Sequence, residues 1–298
     1  MNAQTPGQPL PPKKDRRDVA RENARQLREQ QKKREKRNRW FLRGGIGLAL
    51  VAIAVVAALL IVGSVKQPMA GPKNMASDGL LMVGNGTTIS AVETKASAPD
   101  ADPVPTDLST LGDSVNITVY VDYLCPYCGL FETTNAAQLT SWLTAGNISL
   151  ETHPISILDN QSAGSKYSTR AANAVSCVAN YQPNSFLDVN SALFANQPTE
   201  GTTGLSNKEL VKLVQGAGVT DDAVASCITD QRFDGWVADA TDRALSGPLP
   251  NTELKAITGT PTVLVQGVQY QGALDDAAAF ESFVMAQASA TTQQSDGN

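Results

Sequence analysis

The 298-residue chain holds a single histidine, His153. That excludes any metal centre or relay built on two imidazoles. Cysteine is sparse too, at four residues: Cys125, Cys128, Cys177 and Cys227. Four are too few for a disulfide-dense mini-scaffold, but enough for two bridges, or for one redox pair and one bridge. A basic balance is missing. The net charge is −5 and the pI near 5.0, which argues against nucleic acid as a partner. Long apolar runs are absent except at one place, residues 44–65.

The charge that is present is unevenly placed. Residues 1–43 carry 14 lysines and arginines against five acids, a local net of +9. The rest of the chain carries ten bases against 24 acids, a net of −14. Between the two regimes lies GGIGLALVAIAVVAALLIVGSV, 22 residues without a charge. As a helix it is about 33 Å long, enough to cross a hydrocarbon core. Arg43 and Lys66 close it, and Trp40 and Phe41 precede it where aromatic anchors are favoured. The run is too long and its leader too extended for a cleaved signal peptide. The expectation is an uncleaved signal anchor, with a basic cytoplasmic leader over 1–43, a transmembrane helix over 44–65, and an extracytoplasmic remainder. The leader reads first as a topology signal. A basic helix lying on anionic lipid and a segment that binds nucleic acid are the other readings.

Residues 66–113 are rich in Pro, Gly, Ser, Ala and Asp with no sustained period. They read as a linker with a short strand near 79–84. The compact domain is expected over 114–298.

All four cysteines follow the apolar run, which suits an oxidising compartment. Only one close pair exists, so a four-cysteine zinc site is excluded. That pair sits in VNITVYVDYLCPYCGLFETTNAAQLTSWLTAG. Residues 115–123 are β-branched and aromatic and predict a buried strand. From Pro126 onward the apolar residues Cys128, Phe131, Leu139 and Trp142 recur at helical spacing, and proline suits a first helical turn. Cys125 is thereby placed at a helix N-terminus. Unpaired N–H groups and the macrodipole there favour a thiolate over a thiol. Cys128 lies within one turn, so the pair can close a bridge and Cys128 can resolve a mixed disulfide on Cys125. The competing reading is an inert bridge. Near the C-terminus, ITGTPTVLVQGVQYQG predicts strands at 263–265 and 268–270 around a Gln266-Gly267 turn. Pro261 falls at the strand's first residue, where proline is tolerated.

CPYC after a strand, followed far downstream by GTPTVLV, a turn and a terminal helix, resembles the thioredoxin superfamily. With a long helical stretch between the motifs, the chain is similar in detail to the membrane-anchored or secreted DsbA-like thiol:disulfide oxidoreductases of actinobacterial cell envelopes. The likeness spans about residues 79–288. It implies an α/β thioredoxin-like fold with a helical insertion over about 160–256. It implies Cys125 as nucleophile and Cys128 as resolving thiol, with Pro126 and Tyr127 tuning the potential. It implies Pro261 as a cis-proline, with the Thr260 backbone pairing with an extended substrate segment. The redox-active disulfide would be the only cofactor. Partners would be unfolded exported proteins with paired cysteines and a quinone-linked membrane reoxidase of the VKOR or DsbB type.

One departure stands out. Related enzymes often carry a buried acid six residues before the first cysteine, and here that position is Val119. The nearest acid is Asp122, which reads either as a proton relay or as a strand-end acid. The insert offers helices over 165–181, 186–195, 207–215, 221–229 and 233–245. Ser206 and Glu209 form a capping-box pattern before the third. Cys177 and Cys227 fall on two of these helices and are expected to be joined, a second redox pair being the alternative. His153 reads as structural. Beside an oxidase, a reductase or isomerase on the same fold and a non-catalytic peptide-binding module remain open.

Overall fold

The computed structural model describes residues 70–99 and 101–295, with eight positions of the leader (22, 25, 28, 29, 32–34 and 36). The chain divides into two units, Met1–Lys66 and Gln67–Asn298. In the first, the eight described positions are helical, and Arg25 faces Glu29 one turn on at 4.0 Å. The run at 44–65 lies outside the described residues. Among the described residues, no helix is long and apolar enough to cross a membrane.

The second unit is built on one six-stranded sheet. Its strands are β1 (Leu80–Gly84), β2 (Ile89–Ala91), β3 (Val115–Val121), β4 (Ile148–Pro154), β5 (Thr262–Val265) and β6 (Val268–Gln269). Across the sheet they run β2-β1-β4-β3-β5-β6. β3 lies at the centre, parallel to β4 and antiparallel to β5. All seven of its residues are buried, as its unbroken β-branched and aromatic run requires. The parallel pairing needs a crossover, which is α1 (Pro126–Thr144). Gln266 and Gly267 both have positive φ, +48° and +78°. They make the tight turn between β5 and β6. A side chain on Gly267 would run into the Asn251 carbonyl.

Strand alternation sorts the core onto two faces. Val119, Val121, Val263 and Val265 join α1 and the insert in the main core, with Phe280 of α7 (Ala277–Ser295). Tyr120 and Leu264 point the other way, onto Ile155, Ala244, Leu249 and Ile257. The insert consists of α2 (Tyr167–Tyr181), α3 (Phe186–Ala195), α4 (Asn207–Gly216), α5 (Asp222–Thr229) and α6 (Asp234–Ser246). α2 is its axis, buried from Tyr167 to Ala179. The Ser206–Glu209 capping box starts α4.

Within the stretch read as a linker over 66–113, the short strand expected near 79–84 is β1, and residues 71–77 before it are largely buried. β1 pairs with β4, and Met75, Leu80 and Met82 are completely buried. Composition misleads there because the insert satisfies the segment's polar groups. Asn74 Nδ2 donates to the Ala179 carbonyl at 2.8 Å, and Asn184 accepts from the Ala91 N–H at 2.9 Å. Arg243 of α6 donates two hydrogen bonds to Asp78, at 2.6 and 2.8 Å. Gly79 lies directly against the His153 imidazole, where any side chain would collide with the ring.

Candidate active site

Cys125 is the N-cap residue of α1, with extended backbone, and Pro126 is the first helical residue. The Cys125 carbonyl accepts from the Cys128 N–H at 3.0 Å, which fixes the two cysteines on one turn. Both are thiols and both are buried, Cys128 more completely. Pro126, Tyr127 and Leu130 are exposed around them, Tyr127 by 64%. The site is therefore a buried sulfur pair behind a partly apolar rim.

The Thr260–Pro261 peptide is cis. It presents the Thr260 carbonyl to Cys125, whose thiol donates to it at 3.1 Å. The Thr260 hydroxyl is buried near both sulfurs without a well-formed hydrogen bond of its own, and its dipole favours negative sulfur.

The two thiols are driven apart electrostatically. A hydrogen bond from the Cys128 thiol pulls the pKa of Cys125 down to about 6, against the opposing effect of burial. The Thr260 side chain and the N–H groups of Cys128 and Tyr127 at the helix start add to this. Burial pushes Cys128 well above the usual thiol range, and its donation to Cys125 holds it there. At neutral pH Cys125 therefore favours the thiolate, while Cys128 stays a thiol.

Asp122 is completely buried. Its carboxylate accepts from the Leu124 N–H and the Leu158 N–H, both at 2.9 Å, while its carbonyl accepts from Cys125 N–H at 3.0 Å. Burial raises its pKa to about 6, against those hydrogen bonds. Asp122 therefore ties the CPYC turn to the entry of the insert. Val119 turns toward α1 and lines a cavity with Cys128. Cys177 and Cys227 are joined at an S–S distance of 1.99 Å, linking α2 to α5 inside the insert. His153 stacks on Tyr120 at 4.4 Å, on the sheet face away from the cysteines, with Nε2 3.6 Å from Glu151.

One residue of the site gave no sequence signal. Gln197, in the loop after α3, donates through Nε2 to the Tyr123 carbonyl at 3.1 Å and to the Cys125 carbonyl at 2.8 Å. It also packs over Gly129, where a methyl group would press on its amide. No local pattern marks a loop glutamine 69 residues after Cys128 as part of the site.

Comparison with known proteins agrees with this architecture. A family model described as Thioredoxin matches residues 112–285, more than half of the chain. A 125-residue stretch is 33% identical to the serine/threonine-protein kinase PknE of Mycobacterium tuberculosis. It covers 40% of this chain and only 22% of the kinase. The reduced disulfide bond oxidoreductase DsbG of M. tuberculosis superposes with a TM-score of 0.51 at 25% identity, over 70% of this chain and 86% of that one. BdbD of Bacillus subtilis shares the fold, with a TM-score of 0.52 at 15% identity over 75% of this chain and all of its own. The chain belongs to the thioredoxin family, as a DsbA-like oxidoreductase.

Proposed function

We propose that the protein is a membrane-tethered, extracytoplasmic thiol:disulfide oxidoreductase that introduces disulfides into exported proteins through Cys125 and Cys128. The observation that carries this reading is the opposed pull on the two thiols. A stabilised Cys125 thiolate favours the dithiol state, so its disulfide accepts electrons more readily than one made from two ordinary thiols.

In this reading, a substrate thiolate attacks Cys125 Sγ in the Cys125–Cys128 bridge. The S–S bond breaks, its electron pair goes to Cys128 Sγ, and a mixed disulfide forms. A second substrate thiolate attacks the substrate sulfur of that bond and Cys125 leaves as thiolate. The substrate departs oxidised by two electrons and the protein holds them as a dithiol. A quinone-linked membrane partner of the VKOR or DsbB type would take them up. The extended substrate segment would lie along Thr260 and Pro261, with Tyr127 and Leu130 giving it apolar contact. The apolar run at 44–65 would hold the domain at the outer face of the membrane, with the +9 leader inside.

Equilibration of the full-length protein with glutathione tests the direction. A Cys125/Cys128 potential between about −180 and −120 mV supports the oxidase, and one near −270 mV assigns a reductase instead. Refolding of a reduced secreted protein with Cys125→Ala tests catalysis. A variant that promotes refolding as fast as the parent would leave only a binding module.

A further inference from the structure

An oxidase that works on unfolded chains must keep the mixed disulfide in place until the second substrate thiolate arrives. Tyr127 and Leu130 would touch only the residues nearest the substrate cysteine. A second concave surface begins beside the reactive turn and has no part in the chemistry of the sulfurs. It lies on the helical insert between α3 and α4, with a volume of about 490 Å³, the size of a pocket that takes an organic ligand.

Two helical stripes make this groove. Asp188, Ala192 and Asn196 recur every four residues along α3 and its C-cap. Glu209, Leu213 and Ala217 do the same on α4. Small residues on both stripes, Ala192 and Ala217 with Gly216, leave room between the helices. The floor is apolar, with Leu205, Leu213 and Ala217 half-buried against the main core. The loop joining the two helices is pinned toward α2 and leaves the groove open. In it, the Gly201 N–H donates to the Gln161 carbonyl at 2.6 Å, and the Thr203 carbonyl accepts from the Arg170 guanidinium at 3.1 Å.

We propose that this groove is an exosite for the substrate polypeptide. It takes an apolar side chain from the segment flanking the reactive cysteine, with a lysine or arginine of that segment at Asp188. The inference rests on the oxidoreductase reading of the cysteine pair and adds a second point of contact with the same substrate. Position argues for it. Asn196 rims the groove, and the next residue, Gln197, donates to the Cys125 carbonyl at 2.8 Å. Neighbouring Cα atoms lie about 3.8 Å apart, so a few extended residues reach from Cys125 to the near end of the groove. Charge argues for the same occupant. Glu209 is committed to Ser206 in the capping box, and Lys212 lies within its field. Asp188 is exposed at the rim and has no ion-pair partner among the described residues. An apolar floor with an unneutralised acid at its edge suits a segment that is apolar and basic, and disfavours an acidic one.

The test uses oxidised full-length protein in detergent. Its thiol substrates are glutathione and three peptides with one cysteine each. One peptide carries leucine and arginine about six residues, or roughly 20 Å of extended chain, before the cysteine. The second carries them the same distance after it, and the third has glycine and serine at both places. Acid quenching and mass spectrometry give the rate at which each thiol reduces the Cys125–Cys128 bridge. In the parent, one leucine–arginine peptide should react about tenfold faster than the glycine–serine peptide, and which one it is gives the direction of the bound chain. Gly216→Trp fills the groove. A Cβ at Gly216 meets nothing within 4 Å, and the position is helical, so the change favours the helix. It should lower the ratio of that peptide's rate to the glutathione rate by about tenfold. Asp188→Lys should lower the same ratio by about threefold at low salt, and by less at high salt. An advantage for neither leucine–arginine peptide in the parent would overturn the exosite, and so would a parental ratio in either variant. A parent that sediments as a dimer where Gly216→Trp sediments as a monomer would also overturn it, by giving the groove to a second copy. A parent whose bridge exchanges with none of these thiols would instead overturn the function reading, and the exosite with it.

Discussion

The Gln197 side-chain amide donates to the Cys125 carbonyl at 2.8 Å, joining the helical insert to the reactive turn. The same nitrogen reaches the Tyr123 carbonyl at 3.1 Å, so one amide braces the chain on both sides of Leu124. The insert is thus more than a cover over the thioredoxin core. It holds the backbone that aims the first sulfur.

Gln197→Ala removes both donations and leaves the Tyr123 carbonyl short of a partner. The expected loss is about 1–2 kcal/mol, or a melting point lower by about 3 °C per kcal/mol for a unit of this size. Thermal unfolding measures it. Alkylation of Cys125 by iodoacetamide should also become less uniform in rate as the turn loosens. A Gln197→Ala protein with parental melting and alkylation would remove the brace from the account.

The Cys125 thiol should titrate near pH 6, read as thiolate absorbance at 240 nm, and Cys125→Ser should lack that step. Stability follows from the same shift. The folded pKa lies below the ordinary 9.0, so this group stabilises the reduced protein fully above pH 9. The contribution is lost progressively as pH falls from 9 through 6. Cys128 works in the opposite sense and only above about pH 9, since it resists ionising where an unfolded thiol would ionise. Reduced parent should therefore gain stability over Cys125→Ser as pH rises from 6 to 9. Denaturant unfolding across that window checks the sign, and parallel curves would contradict it.

How much of this was legible in the sequence depends on where the signal lies. The reactive turn is local: a β-branched run, a proline at the first helical position and two cysteines one turn apart. The strand after Pro261 is also written in a few adjacent residues, whereas the cis peptide at Pro261 was expected from the family resemblance alone. Over residues 70–99 only the short strand near 79–84 was legible, because the burial of the rest comes from the surface it lies on. Gly79 exists to fit under His153, and Asn74 is buried because Ala179 and Thr94 answer its amide. Glu132 carries no local signal in the sequence. Only the packing of α3 against α1 encloses it with Cys128.

Asp122 supplies a prediction that separates two effects. Its carboxylate satisfies two backbone N–H groups, so Asp122→Ala orphans both in the interior. The expected cost is about 2–4 kcal/mol. The pH dependence runs the other way from that of Cys125. Burial raises the folded pKa from 3.8 to about 6. Stability from this group is present below about pH 4 and lost as pH rises through 6. The variant should lack that decline between pH 4 and 6, while being less stable throughout. Urea titrations at several pH values distinguish the loss of hydrogen bonds, which is uniform, from the loss of the titration, which is confined to the window.

The Cys177–Cys227 bridge joins α2 to α5 across 50 positions of sequence. In the chain-entropy account, closing a loop of that size stabilises by about 4 kcal/mol. Both sulfurs lie in the main core beside Val178 and Ile228. The double variant Cys177→Ala/Cys227→Ala should therefore lose about that much stability, with a further increment from the two small cavities. The insert should also open first, since α2 is the axis on which α3, α5 and α6 rest. Hydrogen exchange of α2 and α5 amides should accelerate well beyond that of β3. The chemistry should divide differently. With Gln197 still holding the Cys125 carbonyl in the folded fraction, the 240 nm titration near pH 6 should be unchanged. A shifted titration would mean that the bridge acts on the reactive pair as well as on the fold.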